Sequence, residues 1–387
     1  MRNKEMLLVP GPTPVMDEIY DALSSETLGH TDPRFAKVFK NSLELCKQMF
    51  NTDGEVFVIA GSGTLAMEMA IINTVASGEK LLVVSHGYFG DRFIPLAKVF
   101  GINVETLQAE WGQQISKELV EEKLAEGGFK AVTVTHVDTS TGVMANVGEL
   151  IPVVKKAGAL FILDGVCASA ALEEDMQKTY GHPDYKIDVV LTGSQKAIGV
   201  PPGLGIVAFG PKALAAREAM TSVSGYYTDL KHWLPVMKDP VKYFATPPVN
   251  MIYAFNKGME LVIAEGLDSR YRRHFALGRA VRAGLKVYGM KPLATEKVAA
   301  PTLSCLLYPE GVNDVEFRSK LASKGVVVAG ALAAFAGKAF RIGHMGNVTE
   351  EIIVKALGLI GETLQEMGYT ANICAAIDEF KEIYHSA

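Results

Sequence analysis

Four short stretches of this chain carry residue types that could do chemistry together. The first is Gly61-Ser62-Gly63-Thr64, between the apolar run EVFVIA (55–60) and a helix-like LAMEMAIINTVA. The first backbone N–H groups of a helix have no internal partner, and with the helix dipole they attract an anion. Glycines let a phosphate approach the backbone, and the two hydroxyls add donors. The pattern is not GxGxxG, because Leu65 and Ala66 follow, and it is no P-loop, because no Lys-Ser/Thr pair follows. The plainer alternative is a tight turn without ligand. The second stretch is Asp164, which ends the run FILD and precedes Gly165-Val166. A charge placed there is costly unless something pairs with it. A protonated ring nitrogen is one such partner; a turn cap is the alternative. The third is Ser194-Gln195-Lys196, after the run DVVLTG and before GVPPGLG. A lysine amine held in a crevice can form a Schiff base with an aldehyde, although a loop lysine is ordinarily solvated. The fourth is Arg341 in AFRIG. Between apolar neighbours its guanidinium needs an anion, either a ligand carboxylate gripped by two hydrogen bonds or a glutamate in a salt bridge.

The elements around these residues decide whether they can meet. KLLVVS (80–85), NVETLQ (103–108), KAVTVTH (130–136), ALFILD (159–164), DVVLTG (188–193) and GIVAFG (205–210) join EVFVIA as strand candidates. Most are continuous apolar runs, the mark of parallel strands buried on both faces. Helical patterns such as KELVEEKLAEG and VGELIPVVKKAG lie between them. The order β-α-β-α predicts an α/β fold, a mostly parallel sheet with helices on both faces. In such a sheet the strand C-termini face the ligand crevice, so Asp164 and Lys196 fall on one crevice. Phosphate cradle, aspartate and lysine together are what pyridoxal 5′-phosphate needs.

The second half differs. Residues 247–289 read as largely helical. After Pro292 come a strand (TLSCLLYP), a helix (DVEFRSKLASKG), two strands (VVVAG and AFRIG) and a last helix. That helix places Ile353, Leu357, Ile360, Leu364 and Met367 on one face, with Thr349 as its cap. The boundary falls near residues 265–290, giving an N-terminal segment (1–20), a large domain (21–265) and a small C-terminal domain (266–387).

With 387 residues, 49% hydrophobic and 21% charged, the chain has ample material for a core. Its formal net charge of −5 comes from 38 basic and 43 acidic residues with no basic block, which speaks against nucleic acid. The four cysteines, Cys46, Cys167, Cys305 and Cys374, form no CxxC pair, so neither a disulfide framework nor a metal site is expected. The apolar stretch before Pro10 is too short for a signal peptide, and no run approaches the length of a membrane span. A cytoplasmic protein is the expectation.

Taken in order, the markers PGP (10–12), GSGT, HGYFGDR, THVDTSTGV, LDGVCAS, GSQKA with PPG, YYTDLKHWL and RIG resemble the class V aminotransferases, in the alanine–glyoxylate and serine–pyruvate (serine–glyoxylate) branch. The resemblance covers nearly the whole chain. It implies a fold type I pyridoxal-phosphate enzyme with a seven-stranded, mostly parallel sheet. Lys196 resembles the Schiff-base lysine and Asp164 the partner of the pyridinium nitrogen. Val166 would pack under the ring and Tyr88 on its other face. Thr139 would bond the cofactor's O3′ or the substrate. Ser62, Gly63, Thr64 and Gln195 resemble phosphate contacts. Tyr243 and Thr246 match residues that reach the phosphate from a neighbouring subunit, which implies a homodimer. Arg341 would hold the substrate's α-carboxylate. Two departures stand out: a polar insertion, EEDMQKTYGHPDYK, lengthens the interval from Asp164 to Lys196 and is expected at the surface, and His30-Thr31 stands where many relatives read His-Arg.

The resemblance thus implies a transaminase taking alanine or serine as donor and glyoxylate or pyruvate as acceptor. Other donors of the same family are 2-aminoethylphosphonate, ureidoglycine and aspartate. A cysteine desulfurase needs a mobile cysteine shortly before the C-terminal arginine, and AGALAAFAGKAF (329–340) has none. A non-enzymatic Rossmann-like binding protein has no use for Lys196 opposite Asp164.

Overall fold

The apolar runs lie side by side. The computed structural model describes residues 5–386. Its main sheet contains β1 (Glu55–Ala60), β2 (Lys80–Ser85), β3 (Asn103–Gln108), β4 (Phe129–Thr135), β5 (Leu160–Asp164), β6 (Val189–Gly193) and β7 (Leu204–Phe209). The spatial order is β1-β7-β6-β5-β4-β2-β3. Every neighbouring pair is parallel except those of β7, which runs antiparallel to β1 and β6. β5 and β6 are buried at every position, which is why they read as unbroken apolar runs. The C-terminal ends of β4, β5 and β6 open on one edge, and Thr135 of β4 stands in register with Asp164 of β5.

Helices cover the sheet. In α1 (Pro33–Phe50), Asp32 caps the first turn, Pro33 occupies the first position, and Phe35, Phe39, Leu43 and Phe50 are buried. α2 (Gly63–Ile72) follows β1 directly and is almost wholly buried. The long helical stretch divides into α3 (Val249–Glu265) and α4 (Leu267–Val287) at Gly266, whose φ of +81° is a conformation that favours glycine. In α5 (Glu350–Glu366), Thr349 caps as expected, and Ile353, Leu357, Ile360 and Leu364 face inward. One more helix follows, α6 (Ile373–His385), capped by Asn372; it buries Ala376 and Phe380 against α4.

A second sheet joins β8 (Lys291–Pro292), β9 (Leu303–Leu307), β10 (Ala329–Gly330) and β11 (Ala339–Gly343) in the antiparallel order β8-β9-β11-β10. The run VVVAG, read as one strand, is split. Val326–Val327 pairs in parallel with Met6–Leu7, and only Ala329–Gly330 joins β11. One apolar core surrounds the seven-stranded sheet. Another lies between the second sheet and α4, α5 and α6, with Leu8, Phe317, Phe340 and Phe380 at its centre. On these two cores we propose the division into residues 21–265 and 266–387, with segment 1–20 reaching both.

The polar insertion is exposed or half-buried along most of its length, yet it sends Glu174 and Met176 inside. Cys46, Cys167 and Cys305 are buried, Cys374 is exposed, and all four are free thiols. No helix among the described residues is long and apolar enough to cross a membrane.

The packing of β5 carries a direct expectation. Phe161, the second residue of that strand, is fully buried. Phe161→Ala should destabilise the protein by about 3–5 kcal/mol, measured as a shift of the urea midpoint. A cost near zero would mean that β5 is not a core strand.

Candidate active site

Where β4, β5 and β6 end, a cavity of about 210 Å³ opens. Its wall includes Ser62, Gly63 and Thr64 from the start of α2, Thr139, Asp164 and Val166, and Gln195 and Lys196. Eight of the twelve residues picked from the sequence therefore share one cavity. Ser62 is the N-cap of α2, but its side chain makes no capping hydrogen bond, so its hydroxyl is left for a ligand along with the first amides of the helix. Gly63 cannot carry a side chain. A Cβ there would sit 2.9 Å from Val166 Cγ2, so the α2 N-terminus and the turn after Asp164 pack together only through glycine.

Asp164 is buried, and its Oδ1 accepts the Val166 amide at 3.0 Å. Burial pushes its carboxyl up to about 7; the Val166 hydrogen bond opposes the rise, the charges of Asp138 and Glu174 add to it, and Lys196 offsets part of it. Across the cavity, Lys196 is half-buried, and its Nζ donates to the carbonyl of Pro10. The PGPTP segment is built onto this turn. The Thr13 amide donates to Gln195 O at 3.0 Å, and Thr13 Oγ1 donates to Lys196 O at 2.7 Å.

Tyr88 does not line the cavity; it is 45% exposed, and the adjacent Phe89 forms the wall instead. Asp138 makes the difference. Buried at the end of the strand after β4, it accepts the amides of Phe89 (2.9 Å) and Gly90 (3.0 Å) on Oδ2, and the amide and hydroxyl of Ser140 on Oδ1. Ser140 Oγ in turn accepts the Tyr88 amide at 2.9 Å. These bonds fix the 87–90 turn so that Phe89 faces in. Arg92 closes the same side. Its guanidinium lies 4.8 Å from the Phe89 ring, donates to Thr64 Oγ1 at 3.1 Å, and has no carboxylate within 4.0 Å among the described residues. Asp138 and Arg92 are functional candidates that the reading of THVDTSTGV and HGYFGDR passed over. For Asp138 the signal was an acid at a strand end, the same signal that singled out Asp164; Arg92 gave no such signal. Thr135 adds a buried hydroxyl on the cavity wall with no protein partner.

Arg341, on β11, is not part of the cavity wall. Its Nε donates to Gly330 O at 2.9 Å, and among the described residues no carboxylate lies within 4.0 Å. The salt-bridge alternative therefore has no partner here. Burial lowers the Arg341 pKa, and Cys305, Cys167 and Asp138 act against that fall. Tyr243 and Thr246 are exposed and stand apart from the cavity wall. The Tyr243 hydroxyl is 3.5 Å from Thr246 Oγ1, and its ring is 5.0 Å from that of His30.

The residues present fit a cofactor with a phosphate and a cationic ring nitrogen. There is a free helix N-terminus with an unpaired arginine beside it, and a buried carboxyl without a cation of its own. Comparison with known proteins agrees. The family model described as aminotransferase class-V matches residues 12–336. An uncharacterised aminotransferase of Methanocaldococcus jannaschii is 36% identical over 95% of this chain and 94% of its own length. The serine–glyoxylate aminotransferase of Methylorubrum extorquens is 32% identical over 92% of this chain and 90% of its own. The crystal structure of an alanine–glyoxylate aminotransferase from Nostoc sp. superposes with a TM-score of 0.88 at 25% identity, covering 93% of this chain and 95% of that one.

The raised Asp164 carboxyl has a consequence for stability. Its folded value, about 7, lies above the ordinary value of 3.8. The cofactor-free native state therefore binds a proton that the unfolded chain gives up, and stability falls as pH rises through this window. Asp164→Asn removes that penalty. In cofactor-free protein it should raise Tm relative to wild type at pH 8 and give no such gain below pH 4. A gain that is the same at both pH values would place the Asp164 charge elsewhere.

Proposed function

The chain belongs to the class V aminotransferases and is an aminotransferase of fold type I, and from that premise we propose its reaction and the roles of its residues. It moves an amino group from a small amino acid, alanine or serine, to a small 2-oxo acid, glyoxylate or pyruvate, with pyridoxal 5′-phosphate at Lys196. One observation carries the reading: a buried carboxyl and a lysine amine face one cavity beside a free helix N-terminus. The choice of small substrates rests on relatives named for serine, alanine and glyoxylate.

When bound, pyridoxal phosphate supplies an aldehyde carbon and a ring that draws electrons from the bond to be broken. Every other part falls to this chain. Ser62, Gly63, Thr64 and Gln195 hold the phosphate, joined by Arg92. Asp164 would keep the proton on the ring nitrogen, because an opposite charge favours the protonated form. Val166 would lie against one ring face and Phe89, in place of Tyr88, against the other. Thr139 bonds O3′ or the substrate. Lys196, once its amine is free, would act as the base that takes the proton from the substrate's Cα and as the acid that returns one. Arg341 grips the α-carboxylate. Tyr243 and Thr246 serve the phosphate of a second copy, so the working form is a homodimer. Aspartate, ureidoglycine and 2-aminoethylphosphonate are the competing amino donors, and a donor screen against glyoxylate and pyruvate separates them.

Two measurements test these assignments. Borohydride reduction of the cofactor-loaded protein should fix a pyridoxyl group on the peptide that contains Lys196, and Lys196→Ala should abolish it; a label on any other lysine overturns the assignment. Arg341→Lys keeps the charge but loses the planar fork. It should lower kcat/KM for alanine and serine, and Arg341→Ala should cost on the order of 2–5 kcal/mol in transition-state binding. Cofactor retention should be unchanged in both. Normal kcat/KM with a lowered Tm would make Arg341 a scaffold residue.

A further inference from the structure

The turn after Asp164 and the turn that carries Lys196 leave the sheet from different strands, and the sheet pairing ends before either is complete. A side chain from α4 spans both. Arg270 is buried, with 3% of its side chain exposed. Its Nε donates to Ala170 O at 2.7 Å, in the turn after Asp164; its Nη2 donates to Ala197 O, next to Lys196; its Nη1 donates to Glu265 Oε2. Ala170 sits at φ +66°, a conformation that non-glycine residues hold only when their surroundings fix it.

The same helix face continues the grip at i+3 and i+4. Arg273 shares Glu265, through Nε to Oε1 at 2.7 Å and Nη2 to Oε2 at 3.1 Å, and donates to Gly346 O at 3.0 Å and Val348 O at 3.3 Å. His274 Nε2 accepts the Gly346 amide at 2.9 Å, which leaves Nδ1 to donate to Arg270 O at 2.7 Å. Gly346 lies against the lysine turn, where a Cβ would meet the carbonyl oxygens of Lys196 and Ala197 at 3.3 Å. The loop that contains Gly346 begins where β11, the strand of Arg341, ends.

We propose that Arg270, supported by Arg273 and His274, is a latch that sets the Lys196 turn relative to Asp164 and to the strand of Arg341. Arg270 is then a positioning residue of the transamination site, since it lines no part of the cavity. The claim rests on the roles given to Lys196 and Asp164 above. The chemistry requires arginine. A planar fork reaches two carbonyls and a carboxylate at fixed angles, and a lysine ammonium cannot satisfy the three in that arrangement. Glu265 offsets the buried charge, and each backbone carbonyl would otherwise be left unpaired.

The test compares wild type, Arg270→Lys and Arg270→Gln by hydrogen exchange without cofactor, by Tm and by kinetics. Arg270→Lys keeps a cation beside Glu265 and stands in if Arg270→Gln does not fold. Exchange should quicken in residues 165–171 and 195–200 while α6 keeps wild-type protection. In the cofactor-loaded protein kcat should fall on the order of 10²-fold, the scale of a small misplacement of reacting groups. Two results overturn the latch: unchanged exchange in both turns, or uniform loosening of the whole protein with normal kcat in the folded fraction. Failure of the underlying reading is distinguishable, because borohydride would then not label Lys196 in the wild-type protein, whatever the exchange shows.

Discussion

A carboxylate at the buried end of a parallel strand cannot hold its charge alone, and the rest of the site is arranged around that fact. Asp164 has one backbone amide for its Oδ1, and burial outweighs that single bond. The sheet does not relieve it: β5 is buried at every position, and the neighbouring Thr135 hydroxyl, though in register with Asp164, makes no hydrogen bond to it. Relief has to come from the open edge, where the cavity walled by Val166 and Phe89 can admit a cation. The cost of leaving Asp164 unpaired is therefore also a driving force for capturing one.

The other buried acids near it are already committed. Asp138 is bound by four donors and spends its lone pairs on tying the Phe89 turn to the Ser140 turn. Glu174 is met by His136 Nδ1 at 2.7 Å and by the Ser169 hydroxyl at 2.5 Å. Arg92 and Arg341 are the reverse case, guanidinium groups near the cavity without a carboxylate within 4.0 Å among the described residues. The site thus keeps one acid without a cation and two arginines without a carboxylate, while Asp138 and Glu174 are matched internally. That imbalance is the one on which the proposed roles rest.

Much of this was legible in the sequence because burial leaves a direct imprint on residue type. Strands covered on both faces must be apolar throughout, so β1, β2, β4, β5, β6 and β7 could be read as runs, and the polar residues at their ends stood out against them. The split of VVVAG could not be read. Val326–Val327 and Ala329–Gly330 have the same local preference, and their different partners, Met6–Leu7 and β11, are set by distant chain. α6, by contrast, does have a local signal, since Asn372 can cap it and Ile373, Ala376, Ile377, Phe380 and Tyr384 recur at helical spacing. The exchange of Tyr88 for Phe89 is instructive, since both are aromatic and adjacent. Only the bonds from Asp138 and Ser140 to the backbone of that turn decide which ring faces inward.

The path of the N-terminal segment bears on how the protein is made. Met6–Leu7 adds to Val326–Val327, Leu8 enters the C-terminal core, and Thr13 fastens a turn 183 positions further along the chain. These residues are made before their partners: the turn at Lys196 follows Thr13 by 183 positions, and Val326 comes later still. Met6–Leu7 must therefore wait as a loose strand until Val326–Val327 has been made, and closing so long a loop comes late and slowly. The lysine turn gains its Pro10 and Thr13 contacts only when this segment returns to it. A nascent chain halted before residue 326 would carry the seven sheet strands and the Lys196 turn, but not the parallel pairing of Met6–Leu7 with Val326–Val327.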